Sequence, residues 1–337
     1  MSNRNLKTDR PSLVDPFGRT VDYLRLSVTD RCNLRCTYCM AEEMTFLPKQ
    51  QILSLEELRD MAAAFVELGI RKIRLTGGEP LIRRDIIKLV SSLAALPGLE
   101  EVTMTTNGVL LPAMAQPLKD AGLSRLNISI DSLKAERFKQ LTRVGNLHEV
   151  IEGIQAAAAV GFKKIKLNAV ILAGFNDDEV VDLARFAVEQ GMDISFIEEM
   201  PLGEIDAHKR INTQITSSSL RQQLASEFTL VDSAETTGGP SRYMQVANSE
   251  SKIGFISPMS NNFCESCNRV RMTAEGRLLL CLGNEHSMDL REVIRSNPGN
   301  SELLKSKITE ALKNKPERHY FDPDQVDIVR FMNMTGG

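Results

Sequence analysis

The run from Asp30 to Met40, DRCNLRCTYCM, decides how the rest of the 337-residue chain is read. It sets Cys32, Cys36 and Cys39 in one short loop with the spacing C-x3-C-x2-C. Three thiols so close in sequence cannot all pair as disulfides, and a tetrahedral zinc site needs a fourth ligand. A cubic iron–sulfur cluster takes one cysteine on each of three irons and leaves the fourth iron open to a small molecule. Zinc, or structural cysteines with no metal, are the plainer readings beside it.

The flanking sequence says where such a loop sits. Val21 to Val28 alternates as a strand and runs straight into it. Ser54 opens a helix, with Glu57 completing a capping box three residues on. Its apolar stripe passes through Leu58, Met61, Ala62, Phe65 and Leu68, and Gly69 ends it. The alternation then repeats. Strands are predicted at 71–76, 101–106, 125–131, 164–172 and 193–198, with helices at 84–96, 113–121, 147–160 and 177–190. Such alternation implies parallel strands joined by right-handed crossovers. Six units fall short of the eight in a closed barrel, so an α/β fold is expected, an incomplete (βα)6 TIM-like barrel with its chemistry at the carboxyl ends of the strands. Past residue 203 short strands at 229–232, 243–246 and 252–257 and a turn at Gly238-Gly239-Pro240 predict a smaller α+β C-terminal domain. The expected division is a polar, mobile N-terminal tail over 1–20 with a turn at Asp15–Arg19, the barrel over 21–203, and the C-terminal domain over 204–337.

Two further groups carry chemistry. Thr76-Gly77-Gly78-Glu79-Pro80 ends the second strand, where a glycine pair lets a ligand lie directly against the backbone and exposed backbone groups can bind its polar head. A tight turn before a helix is the structural alternative. The second cysteine group is Cys264-x2-Cys267-x13-Cys281. Residues 268–272 and 277–282 read as a hairpin turning at Gly276. Pairing Thr273 with Arg277, Arg271 with Leu279 and Arg269 with Cys281 puts Cys267, Arg269, Arg271 and Cys281 on one face. Three thiols then converge beside two guanidinium groups. Zinc with His286 as a fourth ligand is the competing reading.

Composition narrows the classes. A formal charge of −3 gives no global attraction to nucleic acid or anionic lipid, so any anionic substrate needs a local cluster of Arg and Lys. No apolar run is long enough to span a membrane, and the N-terminus lacks an apolar signal-peptide core. The six cysteines show no secreted disulfide pattern, which points to a cytoplasmic, thiol-reducing setting.

The spacing of the first triad, with the aromatic Tyr38 before its last cysteine, resembles the signature of the radical S-adenosylmethionine (SAM) enzymes. Gly78 matches that family's glycine near the methionine amino group of SAM, and Ser129 and Met200 match further SAM-contacting positions. The two triads, RLTGGEP, TTNG and the terminal Gly336-Gly337 together resemble the branch of the family that cyclises GTP in molybdenum cofactor biosynthesis. That resemblance implies two 4Fe–4S clusters, SAM as cofactor, and GTP held by Arg25, Arg74, Thr105, Lys166, Arg269 and Arg271. It implies a 3′,8-cyclised dihydroguanosine triphosphate as product, an electron donor, a downstream enzyme taking the product, and a homodimer as candidate assembly. It implies that the tail reaches into the cavity. Ala41, Glu199 and Thr335 depart from the family's usual residues, and none is a cluster ligand. Two rival readings remain. One is a radical SAM enzyme acting on another substrate, such as a peptide, with the second cluster as electron relay. The other is a zinc-dependent nucleic-acid module, which a slightly acidic chain without Trp fits poorly.

Overall fold

Six strands follow the expected order: β1 (Tyr23–Ser27), β2 (Lys72–Thr76), β3 (Glu101–Thr106), β4 (Arg125–Ser129), β5 (Ile165–Ile171) and β6 (Asp193–Glu198). Each pairs parallel with the next. The computed structural model describes residues 11–162, 164–203, 215–235, 237–321 and 328–336. Residues 1–10 of the expected tail, and Gly337, lie outside the described residues.

The helices between these strands cover the outer face of the sheet. Leu55–Glu67 is capped as predicted, with Ser54 accepting from Glu57 N and the Glu57 side chain accepting from Ser54 N. Leu58, Met61 and Phe65 pack in one core with Leu24, Leu26, Ile73, Leu75, Val102, Met104, Leu126 and Ile128 of the strands. Each such fully buried side chain contributes roughly 1.5–3 kcal/mol. Alternation along the strands sends the other side chains inward. Tyr23, Arg25, Lys72, Arg74, Thr105, Asn127, Ser129, Lys166 and Asn168 line a central cavity. The barrel interior is therefore polar and strongly cationic on one side.

The remaining strands are β7 (Leu230–Asp232), β8 (Arg242–Val246), β9 (Lys252–Ile256), β10 (Arg269–Met272), β11 (Arg277–Leu279) and β12 (Ser287–Asp289). They do not form a sheet of their own. β9 joins β6 and β10 joins β1, both parallel, so one 12-stranded sheet runs β12-β11-β10-β1-β2-β3-β4-β5-β6-β9-β8-β7. The C-terminal part thus extends both edges of the open barrel. The hairpin register is the one read from the sequence, with Arg271 opposite Leu279 and Thr273 N donating to Arg277 O.

Two features differ from expectation. A further helix, Ala135–Thr142, sits between β4 and β5; its segment AERFKQLT is mostly polar and has no side-chain cap, so little in its residues marks it. From Pro11 onward the N-terminal segment is docked rather than mobile, with Val14 bridging Thr20 and Leu13 and Asp15 buried. No described helix is long and apolar enough to cross a membrane.

Candidate active site

The first cysteine loop leaves the carboxyl end of β1 and is held from two sides. Arg35 N donates to Thr142 O (3.0 Å) and Thr37 N to Leu141 O (2.8 Å), so the unpredicted helix anchors it. On the other side Gly78 N donates to Thr29 O (2.9 Å) and Glu79 N to Arg31 O (2.8 Å). A Cβ at Gly78 would run into the Arg31 carbonyl, so the glycine is what lets the two loops touch. With its N–H taken by Thr29, Gly78 can offer a ligand only its carbonyl. Glu79 accepts from Leu81 N, Thr106 Oγ1 and Asn107 N at 2.7–2.9 Å, and burial pushes its carboxyl up to about 7. Cys32 Sγ accepts from Leu34 N at 3.3 Å. Burial raises all three thiols, Cys32 to about 11, Cys39 to about 12, and Cys36 well above its ordinary value.

Beside this loop Tyr38 donates to Asp131 Oδ2 (2.8 Å), and Asp131 also accepts from Val170 N (2.8 Å). Burial lifts the Asp131 carboxyl to about 6. Ser129, at the end of β4, and Met200, beyond β6, line the same cavity.

Further down the barrel the register lays cations side by side. Arg25 stands opposite Arg74 on one neighbour and Arg271 on the other, while Tyr23 faces Lys72 and Arg269. Adjacent strands lie about 4.8 Å apart, so these charges crowd. Burial, then Arg271, lowers Arg25 well below its ordinary value, and burial, then Arg269, brings Arg271 down to about 10. Tyr23 accepts from Arg74 Nε (2.5 Å); burial raises its phenol, but Arg74, Arg25 and Lys72 outweigh that and bring it down to about 7. The Arg25 Nε is buried with no hydrogen-bond partner. Arg74 also donates to Thr105 Oγ1 (3.3 Å), and Lys166 donates to Tyr243 OH (3.2 Å). Buried like charges with an unused donor are the chemistry of a polyanion site. Lys72 and Tyr23 were missed in the sequence, although each shares an inward face with an arginine two residues on.

The second triad lies at the opposite end. Cys267 lies two residues before the amino end of β10, and Cys281 follows β11, which is antiparallel to it. Cys264 and Cys267 form one turn, Cys267 N donating to Cys264 O (3.1 Å). Arg19, locked to Asp15 at 2.6 Å, donates to Cys264 O (2.8 Å) and to Glu317 O (2.6 Å). Lys315 Nζ lies 3.6 Å from Cys267 Sγ. Burial raises Cys267, but Lys315 and Arg269 outweigh it and bring the thiol down to about 7. Burial raises Cys264 and Cys281.

His286, the zinc ligand considered from the sequence, is exposed and off the cavity wall. His319 is the histidine that reaches this end, and both its nitrogens are taken: Nδ1 accepts from Phe321 N (3.2 Å) and Nε2 pairs with Pro258 O (2.8 Å). Among the described residues no three His, Cys, Asp or Glu gather to hold a single metal ion. Two sets of three thiols around one cavity suit clusters that take one thiolate per iron.

The chain's tail enters between the two ends. Met332 N donates to Cys39 O (3.1 Å), Asn333 Nδ2 to Asp30 O (2.8 Å), and Arg271 to Gly336 O (2.7 Å). Thr335 is buried with its hydroxyl on Met332 O (3.2 Å), which accounts for a polar residue before the glycines. All six cysteines and every candidate SAM- and GTP-contacting residue from the sequence, Arg25, Tyr38, Arg74, Gly78, Thr105, Ser129, Lys166, Met200, Arg269 and Arg271, line this one cavity.

Comparison with known proteins fits this arrangement. The Radical SAM superfamily model matches residues 26–187, and the Molybdenum Cofactor Synthesis C model matches 192–321. The GTP 3′,8-cyclases of Pseudomonas putida (strain W619) and Pseudomonas entomophila (strain L48) are each 61% identical over 97% of this chain and 98% of their own length. The chain belongs to the GTP 3′,8-cyclase family. Members of this family are radical SAM cyclases of molybdenum cofactor biosynthesis, and the chain is an enzyme of that kind. Its cofactors are S-adenosyl-L-methionine and 4Fe–4S clusters. The two triads of free thiols on one cavity wall suit 4Fe–4S clusters in donor chemistry. Among solved structures, Streptococcus suis SuiB superposes with a TM-score of 0.60 at 16% identity, covering 91% of this chain and 78% of SuiB, a likeness of fold alone.

Proposed function

We propose that the chain converts GTP to 3′,8-cyclo-7,8-dihydroguanosine 5′-triphosphate, with GTP lying between the two triads. The observation that carries this is the row Arg271–Arg25–Arg74, lining the barrel cavity between two sets of three thiols. Cys32, Cys36 and Cys39 would hold the first cluster, and Cys264, Cys267 and Cys281 the second. SAM at the first cluster supplies, when bound, a carbon radical able to take hydrogen from the ribose 3′ carbon.

The chain's own residues do the rest. Tyr38, its phenol fixed on Asp131, forms a wall for SAM together with Ser129 and Met200, while the Gly78 carbonyl takes the amino group. Arg25, Arg74, Lys166, Arg269 and Arg271, with Thr105, bind and orient GTP by charge-assisted hydrogen bonds. Lys72, beside Tyr23 on the cavity wall and paired with Glu101 at 2.9 Å, adds positive charge next to that row. The buried walls and the entering tail exclude water, which protects a reactive carbon centre from side reactions.

The division into 1–20, 21–203 and 204–337 follows the same assignment, with the SAM site on the barrel and the second triad on the C-terminal part. Reductive cleavage of SAM consumes an electron, so a separate donor is required. A downstream enzyme takes the cyclic product, the setting is cytoplasmic, and a homodimer is a candidate assembly. Anaerobic turnover with GTP, SAM and a reductant tests the assignment. The wild type should release 5′-deoxyadenosine and the cyclic product, and Cys36→Ala neither. Normal 5′-deoxyadenosine release by Cys36→Ala would remove the radical assignment.

A further inference from the structure

Lys315 entered no part of the sequence reading, yet it is 3% exposed and, among the described residues, the only lysine so buried. It lies just past the helix Ser301–Leu312, with Lys315 N donating to Leu312 O (3.0 Å). A lysine ammonium carries three donors. Here they meet three acceptors: Leu280 O at 2.7 Å, Arg269 O at 3.0 Å and Cys267 Sγ at 3.6 Å. The two carbonyls belong to the hairpin that carries Arg269 and leads into Cys281. No described Asp or Glu forms an ion pair with this ammonium, although burying an uncompensated charge is costly. Lys315 also stands behind the cavity wall rather than on it, so it is not placed to touch a substrate.

Among the described contacts, no cation donates to a sulfur of the first triad. Donors to Cys32 Sγ are the neutral Leu34 N (3.3 Å) and Asn107 Nδ2 (4.0 Å). Arg35, a cation within that loop, is taken up by the carbonyls of Cys32 (2.6 Å) and Leu34 (2.9 Å).

We infer that Lys315 is a positioning residue for the second cluster, its buried ammonium donating to the Cys267 sulfur and holding that cluster at a higher reduction potential than a neutral residue would. This rests on the reading that the second triad holds a cluster. The couple concerned adds one electron to the cluster and breaks no bond. The added negative charge is stabilised by a nearby cation and by hydrogen bonds to the ligating sulfurs, which are known levers on cluster potential. The carbonyl contacts make the arrangement rigid, because they fix the ammonium before any ligand binds.

The test is an EPR-monitored redox titration of the anaerobically reconstituted holoenzyme. The second cluster's signal is identified as the one missing from the Cys264→Ala, Cys267→Ala, Cys281→Ala variant. Lys315→Met should keep its full iron content and show at least about a tenfold shift toward the oxidised second cluster at fixed potential, 59 mV for a one-electron couple, with the first cluster unmoved. Lys315→Arg should stay within about threefold of wild type, since it keeps charge and donors. If Lys315→Met loses the cluster, a Lys315→Arg that keeps it at the wild-type potential still upholds the need for charge. An unmoved potential in an iron-replete Lys315→Met overturns the inference. So does loss of the second cluster in both variants, which would make Lys315 a packing element. If the triple cysteine variant loses no iron, the cluster assignment itself fails, independently of Lys315.

Discussion

The two thiol triads face one cavity but are built in opposite ways. The first is contiguous, folded from a single loop after β1, with neutral donors on its Cys32 sulfur; burial first, then Glu79, Asp131 and the neighbouring cysteines, raise its thiols. The second is assembled from a turn and a hairpin end, braced by Arg19 and Lys315, and its Cys267 is drawn down to about 7 by cations. A loop that serves one small cofactor can be local. A site that must also hold a polyanion draws its cations from the barrel strands, so it can exist only once β10 has paired with β1. The contrast suggests a division of labour, with radical generation at the neutral end and substrate charge managed at the cationic end.

The largest effect should come from the cationic end. Replacing Arg269 and Arg271 together with Ala removes two charge-assisted contacts of ~1.5–3 kcal/mol each, so GTP should bind roughly 100-fold more weakly or worse. GMP should lose much less, and SAM cleavage should persist. Equal loss for both nucleotides in calorimetry would mean that these residues do not read the phosphates, and the division would blur.

The tail sharpens the comparison because it touches both halves, Met332 at Cys39 and Gly336 at Arg271. A Cβ at Gly336 would strike Thr76 Oγ1, so the space there admits only glycine. Deleting Gly336 and Gly337 should leave both clusters in place and lower cyclic product by about 10–100-fold, as misplacement of reacting groups does. Adding one Ala after Gly337 should impair turnover in the same direction. Full activity of the deletion variant would reduce the tail to a packing role.

The smallest effect is a pH dependence. Below about 7 the Tyr23 phenol is neutral; above it, the phenolate cancels one positive charge beside Arg74, Arg25 and Lys72. GTP affinity should therefore fall several-fold, about threefold to tenfold, as pH rises through about 7. Tyr23→Phe should bind GTP with that part of the dependence removed. An unchanged pH profile in the variant would place the phosphates away from Tyr23.

Local signals made much of this legible in the sequence. The capping box at Ser54, the strands leading into the cysteine loop and the glycine pair, and the Gly276 hairpin register all rest on short-range chemistry, and the structure reproduces them. What escaped was non-local. Parallel pairing of β9 with β6 and β10 with β1 leaves no turn between partners to read. Lys315 looks like any lysine at a helix end, and only packing against the hairpin turns it toward Cys267. Tyr23 and Lys72 were within reach, since alternation places them on the same face as Arg25 and Arg74.

Metal content reads the two triads most directly. Two cubic clusters on two triads predict about eight iron and eight sulfide per chain after anaerobic reconstitution, with no stoichiometric zinc. The Cys264→Ala, Cys267→Ala, Cys281→Ala variant should keep about four of each, still cleave SAM and form no cyclic product. About four iron together with one zinc in the wild type, the zinc lost in that variant, would contradict the two-cluster reading of the cavity.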